Sequence, residues 1–362
     1  MDSRSAALSA LLDWQEKKIF LWDSLQRLKE AASIEGRDLN FAYELSCGTM
    51  RQLRLLDAYA SLLCEKMPKK PIERWLLRLG LYQRLFCQNI PEHAIVHSMV
   101  ELAKKKAHAS FASFLNALLR KPLIQLPKIH SYTDYFIEAL ERHYGKERAE
   151  ELLDRGNVPT PVATHTYGEA TYTQNPTQVE LLSVQANRLA FSPTKILDLC
   201  AAPGGKTLLL HRLFPKAKLV ANDIAPKKMA LLQENFAKCS CPAEISCQDG
   251  TSFQWEEPFD LIVVDAPCSN SGVLYKCPEA RWRIDQEEIA KLNATQLALL
   301  QGARRNLAPY GVIWYQTCSI LPEENEELVQ KSGLQVVGAP ILQLPDSLGH
   351  EGGFSCSLQN HP

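Results

Sequence analysis

Two cysteines stand directly after two apolar segments of the sequence, and an acidic residue precedes one of them. Cys268 lies three residues after Asp265, which ends the apolar run 259–264, and Cys318 follows the run 312–315. If both runs are strands of one parallel sheet, their carboxyl ends meet at one edge, so these side chains face a common site. A thiolate can act as a nucleophile in covalent catalysis, and a neighbouring carboxylic group can orient the substrate. Buried cysteines are also common packing residues, so either cysteine alone is equally compatible with a place in the core.

A glycine-containing turn further upstream is typical of a nucleoside site. The apolar segment 196–199 leads into Cys200, Ala201, Ala202, Pro203, Gly204, Gly205 and Lys206, and then into a segment with helical periodicity. Strand, turn and helix in this order place glycines and the free N–H groups of a first helical turn beside a ligand. A phosphate-binding P-loop would need glycine at position 200, and the dinucleotide motif G-x-G-x-x-G is absent. Nucleoside binding and an ordinary strand–helix turn remain as interpretations.

Three aspartates favour the nucleoside interpretation. Asp223, Asp249 and Asp265 each end or follow a predicted strand, so in a parallel sheet they converge on the same edge as the turn. One strand-end carboxylate can hold both ribose hydroxyls, and the whole set fits S-adenosylmethionine. A single strand-end aspartate is more often a turn or helix cap, but three in equivalent positions favour cofactor binding. Lys206 would steady a phosphate or the cofactor carboxylate, or would be a solvated first-turn lysine.

The composition is that of a globular protein with two or three domains. The chain has 362 residues, of which 46% are hydrophobic and 22% charged. No apolar run reaches membrane-spanning length, no signal sequence is evident, and eleven cysteines without paired spacing predict reduced thiols in the cytoplasm. Residues 1–130 carry 20 Lys and Arg against 13 Asp and Glu, whereas the remainder carries 20 against 28. This asymmetry indicates a polyanionic partner or merely a solvated helical surface.

Hydrophobic periodicity divides the chain into a helical part and an α/β part. Helical spacing extends over about the first 150 residues, and residues 157–173, with two prolines and five threonines, predict a linker. From residue 195 onward apolar runs alternate with helical patterns, which predicts a doubly wound, mostly parallel sheet. The predicted strands are 196–199, 219–222, 244–248, 259–264, 311–315, 334–337 and 353–358, and the predicted helices include 227–237, 287–307 and 323–330.

Short sequence motifs in both parts of the chain resemble those of a known family. In the first 125 residues they are 48–51, 79–83, 90–94, 100–104 and 114–120. In the second part they are Asp265-Ala266-Pro267-Cys268-Ser269, Thr317-Cys318-Ser319 and Pro-Glu-Glu-Asn-Glu at 322–326. Together they resemble bacterial 16S ribosomal RNA cytosine-5 methyltransferases of the RsmB (Sun, Fmu) type, in the NOL/NOP2/Sun family.

The resemblance implies an all-α NusB-like RNA-binding domain at 1–130, a shortened linker region at 131–175, and a Rossmann-like S-adenosylmethionine-dependent methyltransferase domain at 176–362. It implies that Cys318 attacks carbon 6 of a cytidine, which activates carbon 5, while Cys268 assists release and Asp265 orients the base. The cofactor would contact the turn 200–206 and the three aspartates. The substrate would be 16S ribosomal RNA or an assembling small subunit. A cytoplasmic monomer without metal or membrane contact is expected.

Two alternatives remain open at this stage. DNA cytosine-5 methyltransferases attack from the Pro-Cys position, which would make Cys268 the nucleophile of a DNA enzyme. The shortened region between the domains is also compatible with an RNA-binding or ribosome assembly factor that has weak or no catalysis. Four residues after the Pro-Cys strand would offer charge and an aromatic face to RNA: Lys276, Arg281, Trp282 and Arg283. For Trp282, packing against the protein is an equally compatible alternative.

Overall fold

The computed structural model describes residues 1–167 and 170–360, which divide into two compact units. The first unit comprises residues 1–132 together with the short segment 277–282, and the second comprises the remaining described residues. Within the described ranges, no helix is both long and apolar enough to cross a membrane.

The first unit is a bundle of α-helices. Its helices are α1 Ser3–Lys17, α2 Leu21–Glu30, α3 Gly36–Arg51, α4 Leu53–Leu63, α5 Pro71–Phe86, α6 Glu92–Lys106 and α7 Ala109–Leu119. Apolar residues at helical spacing form one core, as the stripe of Phe111, Leu115 and Leu118 on α7 illustrates. Helices α3 and α5 approach closely because residue 48 is glycine: a Cβ there would lie 2.0 Å from the ring of Tyr82.

The segment 277–282 is buried in this helical unit. Arg281 is 0% exposed, lies 4.3 Å from the centroid of the Tyr132 ring, and donates hydrogen bonds to the carbonyls of Arg51 and Ser131 at 3.1 and 3.3 Å. The indole N–H of Trp282 donates to the Met50 carbonyl at 3.0 Å. The predicted RNA-facing role of Arg281 is therefore wrong, because its side chain is fully buried, whereas Trp282 is half-buried and packs against α3 through its indole N–H. Their physical role is to satisfy carbonyls near the end of α3.

The second unit contains a seven-stranded sheet with the strand order β5-β4-β3-β6-β7-β9-β8. Its helices are α8 Asp134–Tyr144, α9 Lys146–Arg155, α10 Pro176–Arg188, α11 Gly205–Leu213, α12 Pro226–Lys238, α13 Gln286–Arg305 and α14 Glu326–Ser332. The strands of the sheet are β3 Lys195–Asp198, β4 Lys218–Asn222, β5 Glu244–Ser246, β6 Phe259–Asp265, β7 Leu307–Thr317, β8 Gln335–Gln343 and β9 Gly353–Gln359. Neighbours from β5 to β7 are parallel, whereas β9 is antiparallel to β7 and β8. The predicted Rossmann-like architecture is confirmed.

Both faces of this sheet are covered. On β3 and β6, alternate residues enter opposite apolar layers, with Leu197 and Ile262 on one side and Ile196 and Val263 on the other. Apolar residues of α13 and α14 cover the first side, and those of α10, α11 and α12 cover the second. The near-continuous apolar runs of the sequence thus reflect strands buried on both faces. Successive strands are added to one side of β3, as β4 and β5, and then to its other side, beginning with β6. The strand order therefore reverses between β3 and β6, and ligands bind at such a switch point.

The linker predicted over 157–173 is corrected by the structure. Residues 163–167 and 170–174 form an antiparallel hairpin, β1 Ala163–Tyr167 and β2 Ala170–Gln174, while positions 168 and 169 lie outside the described residues. Its threonines alternate with residues that face the protein, and Tyr167 and Tyr172 pack against the apolar layer of α11 and α12. Alternating β-branched residues favour a strand, and both prolines, Pro159 and Pro161, lie before the hairpin begins.

Candidate active site

A buried aspartate joins the end of β3 to the first turn of α11. Asp198 is 1% exposed, and one of its carboxylate oxygens accepts a hydrogen bond from the Thr207 hydroxyl at 2.7 Å. Burial raises the pKa of Asp198 to about 7, while the Thr207 bond favours its charged form. This contact fixes the path of the turn between strand and helix. Asp198 is not among the residues predicted from the sequence, although an acid nine positions before a first-turn threonine is a usable signal.

The glycines of the turn are required by the backbone and by a close neighbour. Gly204 has a φ of 105°, in the left-handed region that favours glycine. A Cβ on Gly205 would lie 2.7 Å from the side-chain nitrogen of Gln174, which donates to the Gly205 carbonyl at 2.5 Å. This bond directs the amide nitrogen of Gln174 at the carbonyl, so the side-chain oxygen remains as an acceptor. That oxygen is buried and has no hydrogen-bond partner.

A cleft of about 220 Å³ lies beside this turn. Its lining includes Gln174, Gln178, Pro203, Lys206 and Asp265, so it adjoins both the turn and the end of β6. Gln178 repeats the arrangement of Gln174: its amide nitrogen donates to the Thr317 carbonyl at 3.4 Å, and its side-chain oxygen is buried without a partner. The cleft is therefore bordered by acceptors together with one ammonium group.

Asp223 and Asp249 follow β4 and β5 at the same edge of the sheet, but their environments differ. Asp223 is 6% exposed and accepts hydrogen bonds from the backbone N–H groups of Ala202 and Ala225 at 3.3 and 3.0 Å. It thereby contacts the turn directly. Asp249 is exposed and accepts from the backbone and hydroxyl of Thr251, which lowers its pKa. Its carboxylate caps its own loop.

The two cysteines predicted from strand ends lie side by side. The sulfurs of Cys268 and Cys318 are 3.0 Å apart, and both residues are free cysteines. They are adjacent because β6 and β7 are parallel neighbours in which Asp265 pairs with Gln316. Beyond that pair, the backbone N–H of Gly272 donates to the Cys318 carbonyl at 2.9 Å. The third predicted cysteine, Cys200, lies on the turn, and burial raises its pKa, which disfavours a reactive thiolate.

A charged pair lies between the cysteines and the turn. The Lys206 ammonium donates to the Asp265 carboxylate at 2.6 Å. Burial opposes the charge of Lys206, but the attraction of Asp265 exceeds that effect and raises its pKa. The Cys268 thiol, burial and the charge of Asp265 raise the pKa of Cys318, and Lys206 partly offsets them. The isolated protein therefore holds Cys318 as a thiol, and a positive charge brought into the site would favour its thiolate.

The pH profile of Cys318 alkylation tests this electrostatic description. Because its pKa is raised, labelling by iodoacetamide should increase with pH through the alkaline range. The Cys318 thiol also donates to the side-chain oxygen of Asn270 at 3.0 Å, which stabilises the protonated form. Asn270→Gly removes that acceptor and suits the φ of 59° at this position, so the profile should move to lower pH.

Asn270→Asp is the matched comparison, because an added negative charge should move the profile to higher pH. Labelling at Cys318 is followed by peptide mass spectrometry, with exposed Cys247 as the internal reference. Identical profiles for all three proteins would contradict the role given to Asn270.

The arrangement fits S-adenosylmethionine on its own geometry. Gly204 and Gly205 let the turn pack closely against Phe236 and Gln174, and the start of α11 provides free N–H groups beside the cleft. The partnerless oxygen of Gln174 can accept from an ammonium group, and the buried Asp223 carboxylate contacts the turn. Acceptors and carboxylates of this kind also favour a sulfonium cation over a phosphate.

Comparisons with known proteins agree with this description. Residues 188–337 match the family model of the 16S rRNA methyltransferase RsmB/F, and residues 1–123 match that of the NusB family. The ribosomal RNA small subunit methyltransferase B of Pasteurella multocida is 30% identical over 372 residues, covering 86% of this chain and 83% of the relative. The Klebsiella pneumoniae protein of the same name is 28% identical and covers 99% of this chain and 94% of the relative.

A solved structure shares the fold. The crystal structure of the protein PH0851 aligns with a TM-score of 0.74 at 19% identity, covering 99% of this chain and 98% of that one. Together with the family models, this similarity agrees with a helical NusB domain followed by a Rossmann-like methyltransferase.

Proposed function

Because the chain belongs to the ribosomal RNA small subunit methyltransferase B family, an S-adenosylmethionine-dependent family acting on ribosomal RNA, we propose that it methylates carbon 5 of a cytidine in 16S ribosomal RNA. The observation that carries the cytosine chemistry is the pair of sulfurs 3.0 Å apart beside the Lys206–Asp265 pair. Two adjacent thiols allow one to form a covalent adduct and the other to help end it.

Carbon 5 of cytosine is a poor nucleophile, and the proposed site activates it by covalent catalysis. The Cys318 thiolate forms a bond to carbon 6, and the ring electrons make carbon 5 nucleophilic. Bound S-adenosylmethionine supplies the electrophilic methyl group. The Asp265 carboxyl group orients the edge of the cytosine ring that carries the amino group, and the Lys206 ammonium balances the charge of Asp265. Carbon 5 forms its bond to that methyl group, and its proton then passes to the Cys268 sulfur as the base. The electrons of the broken C–H bond re-form the ring double bond, and the Cys318 sulfur leaves carbon 6 as a thiolate.

The assignment of Cys318 as the nucleophile rests on the family resemblance, and two positive charges would offset its raised pKa. Lys206 favours the thiolate of Cys318, and the bound sulfonium adds a second positive charge. The target base has to leave any stack to reach this edge of the sheet, so an unpaired or splayed nucleotide is the expected substrate. We also propose that the protein acts as a monomer in the cytoplasm, where small subunits are assembled.

Transfer of tritium from labelled S-adenosylmethionine tests the proposal. Label should enter 16S ribosomal RNA or assembling small subunits at a single cytidine and be recovered as 5-methylcytidine. Duplex DNA should remain unlabelled. Label in DNA alone would support the DNA enzyme with Cys268 as nucleophile, and cofactor binding without transfer to any RNA would support the assembly factor.

A further inference from the structure

One buried carboxylate is hydrogen-bonded to both loops that carry the cysteines. Glu324 is 0% exposed and lies in the 3₁₀ turn Pro322–Glu324. One of its oxygens accepts from the hydroxyls of Ser269 and Ser319 at 2.5 and 2.6 Å. The other accepts from the backbone N–H of Ser269 at 2.9 Å and from the side chain of Gln296 at 3.1 Å. Ser269 and Ser319 are the residues that directly follow Cys268 and Cys318.

Burying the Glu324 carboxylate costs desolvation free energy, which its hydrogen bonds have to offset. Burial raises the pKa of Glu324, and its hydrogen bonds oppose that shift. An apolar residue would fill the same space without the desolvation penalty, but it could not accept from two hydroxyls at one oxygen. What distinguishes the carboxylate is therefore the connection that it makes between two loops.

The surrounding hydrogen bonds make this connection rigid. The Tyr315 hydroxyl donates to the backbone carbonyl of Glu324 at 2.8 Å, which fixes the 3₁₀ turn on β7. Asn325 accepts from the Thr317 hydroxyl at 2.6 Å and donates to the Ser319 carbonyl at 3.0 Å. Because the bonded serines are each one residue from a cysteine, movement of either serine moves the neighbouring sulfur.

We propose that Glu324 is a positioning residue that sets the distance between the Cys268 and Cys318 sulfurs. Without it, each loop keeps its cysteine, but the two sulfurs are no longer held together. On the proposed function, on which this consequence rests, attack requires only Cys318, whereas release requires both sulfurs at one ring. Weakening Glu324 should therefore slow release more than attack.

The sulfur–sulfur distance can be tested without RNA or cofactor. Diamide oxidises two adjacent thiols to a disulfide, with the two protons and two electrons passing to the diamide. In the full-length protein the Cys268–Cys318 disulfide should form rapidly, and in Glu324→Gln about 10- to 100-fold more slowly. Peptide mass spectrometry identifies the pair among the other cysteines. Glu323→Gln is the matched control, because Glu323 is paired with His143 at 3.0 Å and, among the residues that the structure describes, bonds to neither cysteine loop. It should oxidise at the wild-type rate.

Two further variants separate positioning from folding. Ser319→Ala removes the hydrogen bond between the Cys318 loop and Glu324, and it should slow disulfide formation. In the double variant with Glu324→Gln, disulfide formation should be little slower than in Glu324→Gln alone. On RNA, Glu324→Gln should accumulate adduct and lose kcat, and KM should fall in parallel, so that kcat/KM changes little. A folded Glu324→Gln or Ser319→Ala protein that oxidises at the wild-type rate would overturn the proposal. Rapid oxidation in a wild-type protein that transfers no methyl group would instead count against the proposed function alone.

Discussion

Replacing Cys318 with alanine is expected to reduce methyl transfer by at least about 10³-fold and to remove every covalent protein–RNA complex. Without its sulfur, carbon 6 has no nucleophile and carbon 5 is not activated. Cys318 as a residue is half-buried and alanine is smaller, so the fold should be retained. Turnover is measured by tritium transfer to 16S ribosomal RNA, and adduct by its resistance to denaturing electrophoresis. An unchanged thermal transition and unchanged cofactor affinity serve as controls.

Cys268→Ala is the informative companion variant. Its Cys318 sulfur remains available for attack, whereas assisted release is lost, so turnover should fall while RNA stays covalently attached. The Cys268 thiol also raises the pKa of Cys318, so its removal should favour attack at neutral pH. Normal turnover of Cys268→Ala, together with trapped adduct in Cys318→Ala, would show that the two roles are reversed.

Much of the second unit can be predicted from its sequence because its signals are local. A strand buried on both faces needs a nearly continuous apolar run, and 261–264 and 311–315 are such runs. Once two runs are parallel neighbours, the residues after them have to meet, and this places Cys268 beside Cys318. The predicted strand 196–199 and the turn after it follow the same logic.

The corrected features depend on contacts between residues far apart in the chain. Arg281 is charged, so its sequence context predicts a surface residue, but the Tyr132 ring and the Arg51 carbonyl satisfy it in the core. Glu324 resembles an ordinary helix residue within 323–330, yet the predicted helix is interrupted at Asn325, whose side chain is bonded to Thr317 and Ser319. The hydrophobic periodicity of the sequence does not indicate hydrogen-bond partners that lie far apart in the chain.

Gly302→Ala should destabilise the second unit strongly. Gly302 lies on α13, and a Cβ there would be 1.9 Å from the carbonyl oxygen of Gly250 and 3.3 Å from the Cα of Thr251. Helix propensity favours alanine by about 1 kcal/mol. Overpacking against backbone costs about 1–3 kcal/mol or more, and neither atom belongs to a flexible side chain. The steric cost should exceed the propensity gain, and the free energy of unfolding should fall by about 1–2 kcal/mol.

The consequence should extend to cofactor binding, because the displaced loop includes Asp249. Urea unfolding gives the stability change, and calorimetric titration with S-adenosylmethionine gives the affinity, which should weaken about tenfold if Asp249 contacts the cofactor. Thr295→Ala, at an exposed position of α13, should stay within about 0.5 kcal/mol of wild type and bind normally. A more stable Gly302→Ala protein would mean that the loop yields at little cost. Lost stability with unchanged affinity would show that Asp249 does not bind the cofactor. If its carboxylate held the cofactor, displacing the loop that includes Asp249 would weaken binding.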